Sequence, residues 1–240
     1  MKPLSKTIWI VFFALAMGYL ETSVVVYLRA LYYPEGFVFP LRAMDHNLAL
    51  TELYRELATL IMIFSVSVLA AKYWLHRFAW FLVIFAVWDI AYYIFLKLLL
   101  CWPESFFTTD ILFLLPSIWT GPVIAPVINS LTMLMIASAI LYKRNGSLPL
   151  TRLSRGTWAL LIAGSLVVLF TYMKDFAGFA MDYKQYLPSG ETSGEKLIMI
   201  LSTQFVPRSF DWLLFTFGVM LHLTALYLIL NKNKKETSGN

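Results

Sequence analysis

The chain carries several apolar runs about as long as a bilayer is thick, each close to the roughly 20 residues a membrane-crossing helix requires. Backbone N–H and C=O groups in hydrocarbon must be satisfied within the protein, which leaves helices or closed barrels. A barrel would show short segments alternating apolar and polar residues, and that alternation is missing here. Charge content agrees: 14% of residues are charged and 60% hydrophobic, against about 25% charged in a soluble domain. The sequence therefore predicts an all-α, polytopic membrane bundle, a single transmembrane domain over residues 1–240.

Six spanning helices are predicted, at about 7–30, 49–73, 77–99, 121–142, 156–173 and 209–230. The first follows Lys2 and Lys6, and Ala14-Leu15-Ala16 resembles a leader cleavage site. Its apolar run continues to Ala30, so the segment is expected to stay as a helix. The fourth is the least regular. Residues 111–119 form a short apolar piece, expected to be re-entrant or interfacial, before Gly121, Pro122 and Pro126. Pro126 is expected to remove a backbone donor and kink the helix. Residues 197–206 are expected to form an interfacial helix ended by Pro207, after a flexible turn at 189–194. No internal repeat of the kind found in many transporters is visible.

Lys and Arg set the expected orientation. Lys2, Lys6, Lys72, Arg77, Lys143, Arg144, Arg152, Arg155, Lys232, Lys234 and Lys235 fall on one side, and Arg42, Lys174, Lys184, Lys196 and Arg208 on the other, among many acids. The positive-inside rule then places both termini in the cytoplasm. The net charge of +5 is read as this orientation signal, not as nucleic-acid binding. The single cysteine, Cys101, leaves no intramolecular disulfide and no Cys-based metal site, and is expected to be a packed thiol.

Charges inside apolar segments need partners. Thr51-Glu52-Leu53-Tyr54-Arg55-Glu56 opens the second helix, Glu21 lies within the first, and Asp89 lies past the middle of the third. Arg29 and Lys97 stand near helix ends. All seven charges fall in the non-cytoplasmic half. Glu52 and Glu56, four apart, share a helix face with Arg55 alongside; Asp89 and Tyr93 share another, flanked by Tyr92. Gly18, on the face of Glu21, lets a neighbour approach closely. A polar pocket is expected between the first three helices, with binding residues Glu21, Glu52, Arg55, Glu56, Asp89 and Tyr93. Trp102, Glu104, Asp110 and Trp119 are expected to form its lid.

Each residue also has a plainer role open to it. Glu52, Arg55 and Glu56 would form an interfacial first turn if Thr51 were the N-cap, and a start near Asp45 or Asn47 would carry them deeper. Arg29, Lys97 and Arg208 would be anchors that reach the membrane surface. Glu21 and Asp89 would be members of structural ion pairs. His46, Glu52 and Glu56 are metal-ligand types, yet no paired-His or Glu-x-x-His spacing supports them. His222 reads as a hydrogen-bonded structural histidine. No phosphate loop, dinucleotide fingerprint or nucleophile elbow occurs, so no cofactor is indicated.

Glu52-Leu53-Tyr54-Arg55-Glu56, Trp88-Asp89-Ile90-Ala91-Tyr92-Tyr93 and Asp110-Ile111-Leu112-Phe113-Leu114-Leu115-Pro116, with Gly121-Pro122 and Ala125-Pro126 after them, resemble stretches of a group of uncharacterised bacterial polytopic integral membrane proteins. The likeness covers residues 18–130. It implies a bacterial inner-membrane location and no particular chemistry.

Three functions fit this pattern. One is transport of a small polar solute or ion, with Glu21 or Asp89 carrying a proton and Arg55 pairing with or releasing it. Another is an intramembrane enzyme, metal-dependent or not, acting on a lipid or lipophilic substrate. The last is an accessory subunit of a membrane complex. Partners follow accordingly: membrane lipids with a solute, ion or lipid substrate, and a membrane-protein partner or a second copy of the chain.

Overall fold

A computed structural model describes residues 3–145, 148–184 and 201–231. Six helices long and apolar enough to cross a membrane run through these residues. They are α1 (Pro3–Tyr32), α2 (His46–Ala70), α3 (Trp74–Leu100), α4 (Ile124–Tyr142), α5 (Arg155–Lys184) and α6 (Trp212–Asn231). The protein is thus a multi-pass, all-α membrane protein. Its helices keep large apolar side chains facing outward, among them Leu69 and Leu213, 86% and 85% exposed. Such a surface suits lipid, not water.

α3 is the hub: α1, α2 and α4 pack on it, α4 leads to α6, and α6 packs on α5. The α1–α3 contact is set by Gly18, where an added Cβ would stand 2.8 Å from Ala91 Cβ and 3.0 Å from the Trp88 carbonyl oxygen. Thr22, one turn on, donates to Gly18 O (2.8 Å) and Tyr92 O (3.2 Å), tying the two backbones. The α5–α6 contact uses the same device. A Cβ on Gly164 would meet His222 Cδ2 at 2.6 Å. His222 itself lies 3.2 Å from both Ser165 Oγ and Leu161 O, the structural role expected of it.

The end of the bundle that holds the N-terminus is packed with apolar side chains. Ala14 of α1, Ile63 of α2 and Ile84 of α3 are wholly buried there, with Met17, Trp80 and Trp88 around them. A second core joins α3, α4, α5 and α6 through Ala79, Ala137, Ile140, Leu161 and Ala225.

The opposite end differs from the expectation in four places. Residues 111–119 belong to a β-hairpin, in a chain expected to be all helical. Its strands are β1 (Thr109–Phe113) and β2 (Trp119–Pro122), antiparallel, with Asp110 opposite Gly121 and a bulge between Ile111 and Phe113. Thr, Ile, Phe and Trp favour a strand, and a run this short carries no helical period to oppose them. α4 consequently starts at Ile124 instead of 121, which puts Pro126 in its first turn. The N–H that Pro126 lacks has no intrahelical acceptor at that position, so no helix bond is lost.

α2 starts at His46, three residues before the expected position. Its N-cap is Asp45, not Thr51: the Asp45 carboxylate accepts from the N–H groups of Asn47 (2.9 Å) and Leu48 (3.3 Å). α5 runs to Lys184, well beyond 173, and its first two charges past that point have partners. Lys174 pairs with Asp211, and Asp175 accepts from the Arg208 N–H at 2.6 Å. Residues 201–204 are helical and end before Pro207. Leu201 and Phe205 are buried, against Phe176 and Ile118. The rest of the expected interfacial segment, 197–200, and the turn at 189–194 lie outside the described residues. A further two-residue strand pair, β3 (Arg144–Asn145) and β4 (Leu148–Pro149), closes the α4–α5 link.

Candidate functional site

A cavity of about 530 Å³ opens at the hairpin end, between α1 and α2, with α3 behind it and the hairpin along one side. Its size is that of a small-molecule site. Glu21, Glu52, Arg55, Glu56, Asp89 and Tyr93 all line it. The early start of α2 makes this possible, since Glu52 and Glu56 stand in its second and third turns and are buried, not in an interfacial first turn.

Arg55 bridges the cleft. Its Nε donates to Glu52 Oε2 at 2.7 Å, and its Nη1 donates to Glu21 Oε2 on the facing helix. The Glu52 contact is the i, i+3 neighbour on α2, while the Glu21 contact joins two helices that both lean on α3. Beneath this bridge lies the packed core of Ala14, Ile63 and Ile84, so the cavity is closed toward the N-terminal end.

Glu56, 5% exposed, accepts from the Leu114 N–H at 2.9 Å. That bond fastens α2 to the loop of the hairpin. Asp89 accepts from Ser130 Oγ of α4 at 2.7 Å. Among the described residues, neither Glu56 nor Asp89 has a cation within 4 Å, whereas Glu21, Glu52 and Asp110 each have one.

Asp110 and Arg29 hold a larger place than their sequence positions indicate. Asp110 is no lid residue: it is 2% exposed, on β1, with its carboxylate 3.7 Å from Arg29 Nη2 and 3.4 Å from the Tyr93 hydroxyl that donates to it. Arg29 is not a surface anchor either. It is buried, and its guanidinium lies over the rings of Trp102 (3.9 Å) and Phe37 (4.8 Å). Lys97 stays outside, capping α3 through the carbonyls of Cys101 (3.2 Å) and Pro103 (2.8 Å). Cys101 is exposed, not packed, and holds a left-handed φ of 53° at that cap. Of the expected lid, Glu104 is exposed and lines no part of the cavity, and Trp119 stacks on Tyr172 away from it.

The signal for Asp110 was present in the sequence as an acid heading the apolar run 111–115. Its burial depends on the hairpin, which turns that acid toward α1 and α3.

Burial pushes the Asp110 carboxyl up, to about 7; Arg29, the Ile111 N–H and the Tyr93 hydroxyl pull it only part of the way back. The folded chain therefore holds this proton between about pH 4, where an unfolded Asp releases it, and about pH 7. Folding binds a proton in that window, so this group's stability contribution is complete below it and is lost as pH rises through it. Asp110→Asn keeps a neutral side chain at every pH. We expect the variant's denaturant midpoint to gain on that of the wild type as pH rises from 4 to 8, with the variant at the higher midpoint at pH 8. A gap between the two midpoints that is the same at both pH values would remove the claim.

The cavity's ionisable inventory is unbalanced. Among the described residues five carboxylates line it, Glu21, Glu52, Glu56, Asp89 and Asp110, against the guanidiniums of Arg29 and Arg55, with Arg42 and His46 exposed on its rim. No group of three His, Cys, Asp or Glu side chains among the described residues is placed to hold a metal, and His46 does not join Glu52 and Glu56 in one. The remaining walls are mainly apolar and aromatic, from the 33–44 segment, α2 and the hairpin. The arrangement can bind a small molecule that has both a polar end and an apolar body, and its carboxylates can exchange protons with it. Comparison with family models, curated proteins and solved structures finds nothing that matches this chain.

Proposed function

We propose that this protein is a proton-coupled carrier of a small solute, with the cavity as its solute site in an outward-facing state. The supporting observation is the pair of carboxylates, Glu56 and Asp89, that line the cavity without a cation within 4 Å among the described residues. Ionisable groups at membrane depth mark solute and proton pathways. Glu21 is held by Arg55 and is set aside as the proton carrier; Asp89 and Glu56 take that role. The groups facing them are Arg55, Glu52 and Glu21 around Glu56, and Ser130, Tyr93, Tyr172 and Asp110 around Asp89. The Lys and Arg distribution orients the hairpin end outward, in the inner membrane of a bacterium as the resemblance above implies. The packed core under the Arg55 bridge is then the closed inner gate.

A second reading, an enzyme acting on an outer-leaflet lipid, is favoured by the apolar walls and the closed floor. Proteoliposomes loaded with a pH-sensitive dye separate the two. With a pH gradient imposed, at least one solute from a panel of amines, amino acids and small organic acids is expected to speed the gradient's decay over protein-free vesicles. Glu56→Gln with Asp89→Asn is expected to lower that rate at least about tenfold. A trace unchanged by every solute, from folded protein, rejects the carrier. Mass spectrometry of lipids incubated with the protein then tests the enzyme.

A further inference from the structure

The chemical class of the ligand can be read from what the cavity still needs. Its two buried guanidiniums are engaged, Arg55 by Glu21 and Glu52, and Arg29 by Asp110 and two aromatic rings. An anionic ligand would find no free cation among the buried described residues and would add to a surplus of carboxylates. A cation meets the opposite situation at Asp89. One of its oxygens takes the Ser130 hydroxyl, and no cation among the described residues lies within 4 Å of it.

The surroundings of Asp89 favour a particular kind of cation. Trp88, Tyr92 and Tyr93 adjoin it on α3 and line the cavity, with Phe37, Phe113 and Phe176 on its other walls. Aromatic faces attract cations, most strongly where water is excluded. The cavity already does this for its own residues, since the Arg29 guanidinium rests 4.8 Å from the Phe37 centroid. A bare metal ion is poorly served by such walls, but an alkylated ammonium is well served.

We propose that the cavity binds an organic cation, an ammonium group at Asp89 among the rings of Trp88, Tyr92 and Tyr93, with an apolar body along the α2 and hairpin walls. The proposal rests on the cavity being the carrier's solute site, and it adds the ligand's charge. Cation and proton then compete for the same carboxylate, which makes the carrier an exchanger of one for the other.

The test uses the full chain in native-lipid discs and equilibrium dialysis, with empty discs as the blank. Three probes share one shape: 2-phenoxyethyl-trimethylammonium, its neutral carbon isostere (3,3-dimethylbutoxy)benzene, and the anion 3-phenoxypropanoate. The cation is expected to bind saturably and at least about tenfold more tightly than the isostere, with no saturable binding of the anion. Asp89→Asn is expected to bring the cation to the isostere's level, and Asp89→Glu to keep most of the preference. Should Asp89→Asn fail to fold, the ratio in the wild type decides alone. Binding of the isostere or anion as tightly as the cation, or saturable binding of none of the three, overturns the proposal. A ratio near one with a solute-driven proton trace overturns the cation and spares the carrier. Saturable cation binding with a flat trace rejects the carrier and keeps the cation site.

Discussion

Arg55→Met is expected to destabilise the folded chain by about 3–5 kcal/mol, the usual result of removing one partner from a buried ion pair. Arg55 is the shared cation of Glu21 on α1 and Glu52 on α2, so its loss strands two carboxylates at once. Glu52 is buried and the Glu21 side chain nearly so, which leaves little water to replace the guanidinium. The energy belongs to the stranded charges more than to the contact itself. Arg55→Met combined with Glu21→Gln and Glu52→Gln is therefore expected to recover more than half of the loss. Denaturant titration in detergent, with tryptophan emission as the readout, measures both. An Arg55→Met midpoint equal to wild type would mean that the bridge carries no stability, and that the cleft between α1 and α2 is held by α3 alone.

Gly18→Ala is expected to cost about 1–3 kcal/mol, and Gly18→Leu more, through overpacking of a closed contact. The atoms an added Cβ would meet are the Cβ of Ala91 and the backbone of Trp88 and Tyr92, at 2.8 to 3.2 Å. None of these is the end of a flexible side chain that can swing aside, so α1 as a whole must move from α3. Thr22 would lose its reach to Tyr92 O, and Glu21, three residues on, would leave Arg55. The Leu variant should thus lose ligand binding as well as stability, although no cavity-lining residue has changed. Unfolding midpoint and dialysis on the same preparation test this. A Gly18→Leu protein with wild-type midpoint would show that the α1–α3 contact is looser than its geometry.

Glu56 shows why these effects differ in kind. Its carboxylate holds the hairpin loop through the Leu114 N–H at 2.9 Å, and Gln can accept the same bond. Its replacement by Gln is thus a test of charge, whereas Arg55→Met and Gly18→Leu test the frame.

The number of spanning helices and their approximate places were legible in the sequence. Their cause is local: a run of about 20 apolar residues meets the bilayer's thickness whatever its neighbours are. The gathering of charge at one end was legible for a related reason, since position along a helix fixes depth. Glu21, Glu52, Arg55, Glu56, Asp89 and Tyr93 could be placed at one level by counting residues, and they line one cavity.

Other features depend on contacts between distant parts of the chain. The run 109–122 is too short for its period to separate strand from helix, and its pairing of Asp110 with Gly121 appears only when both halves meet. Arg29 sits where an anchor would sit, and only the folded hairpin brings Asp110 beside it. The pairing of α1 with α3 is the clearest case. Helices adjacent in sequence are the default partners, but Gly18 allows an approach to α3 that no side chain at that position would permit. That choice leaves α1 and α2 apart at the hairpin end and makes the cavity. Apolar length determined what crosses the membrane. Close packing at one glycine and one hairpin, both non-local, decided where the opening lies and which carboxylates have no cation within 4 Å among the described residues.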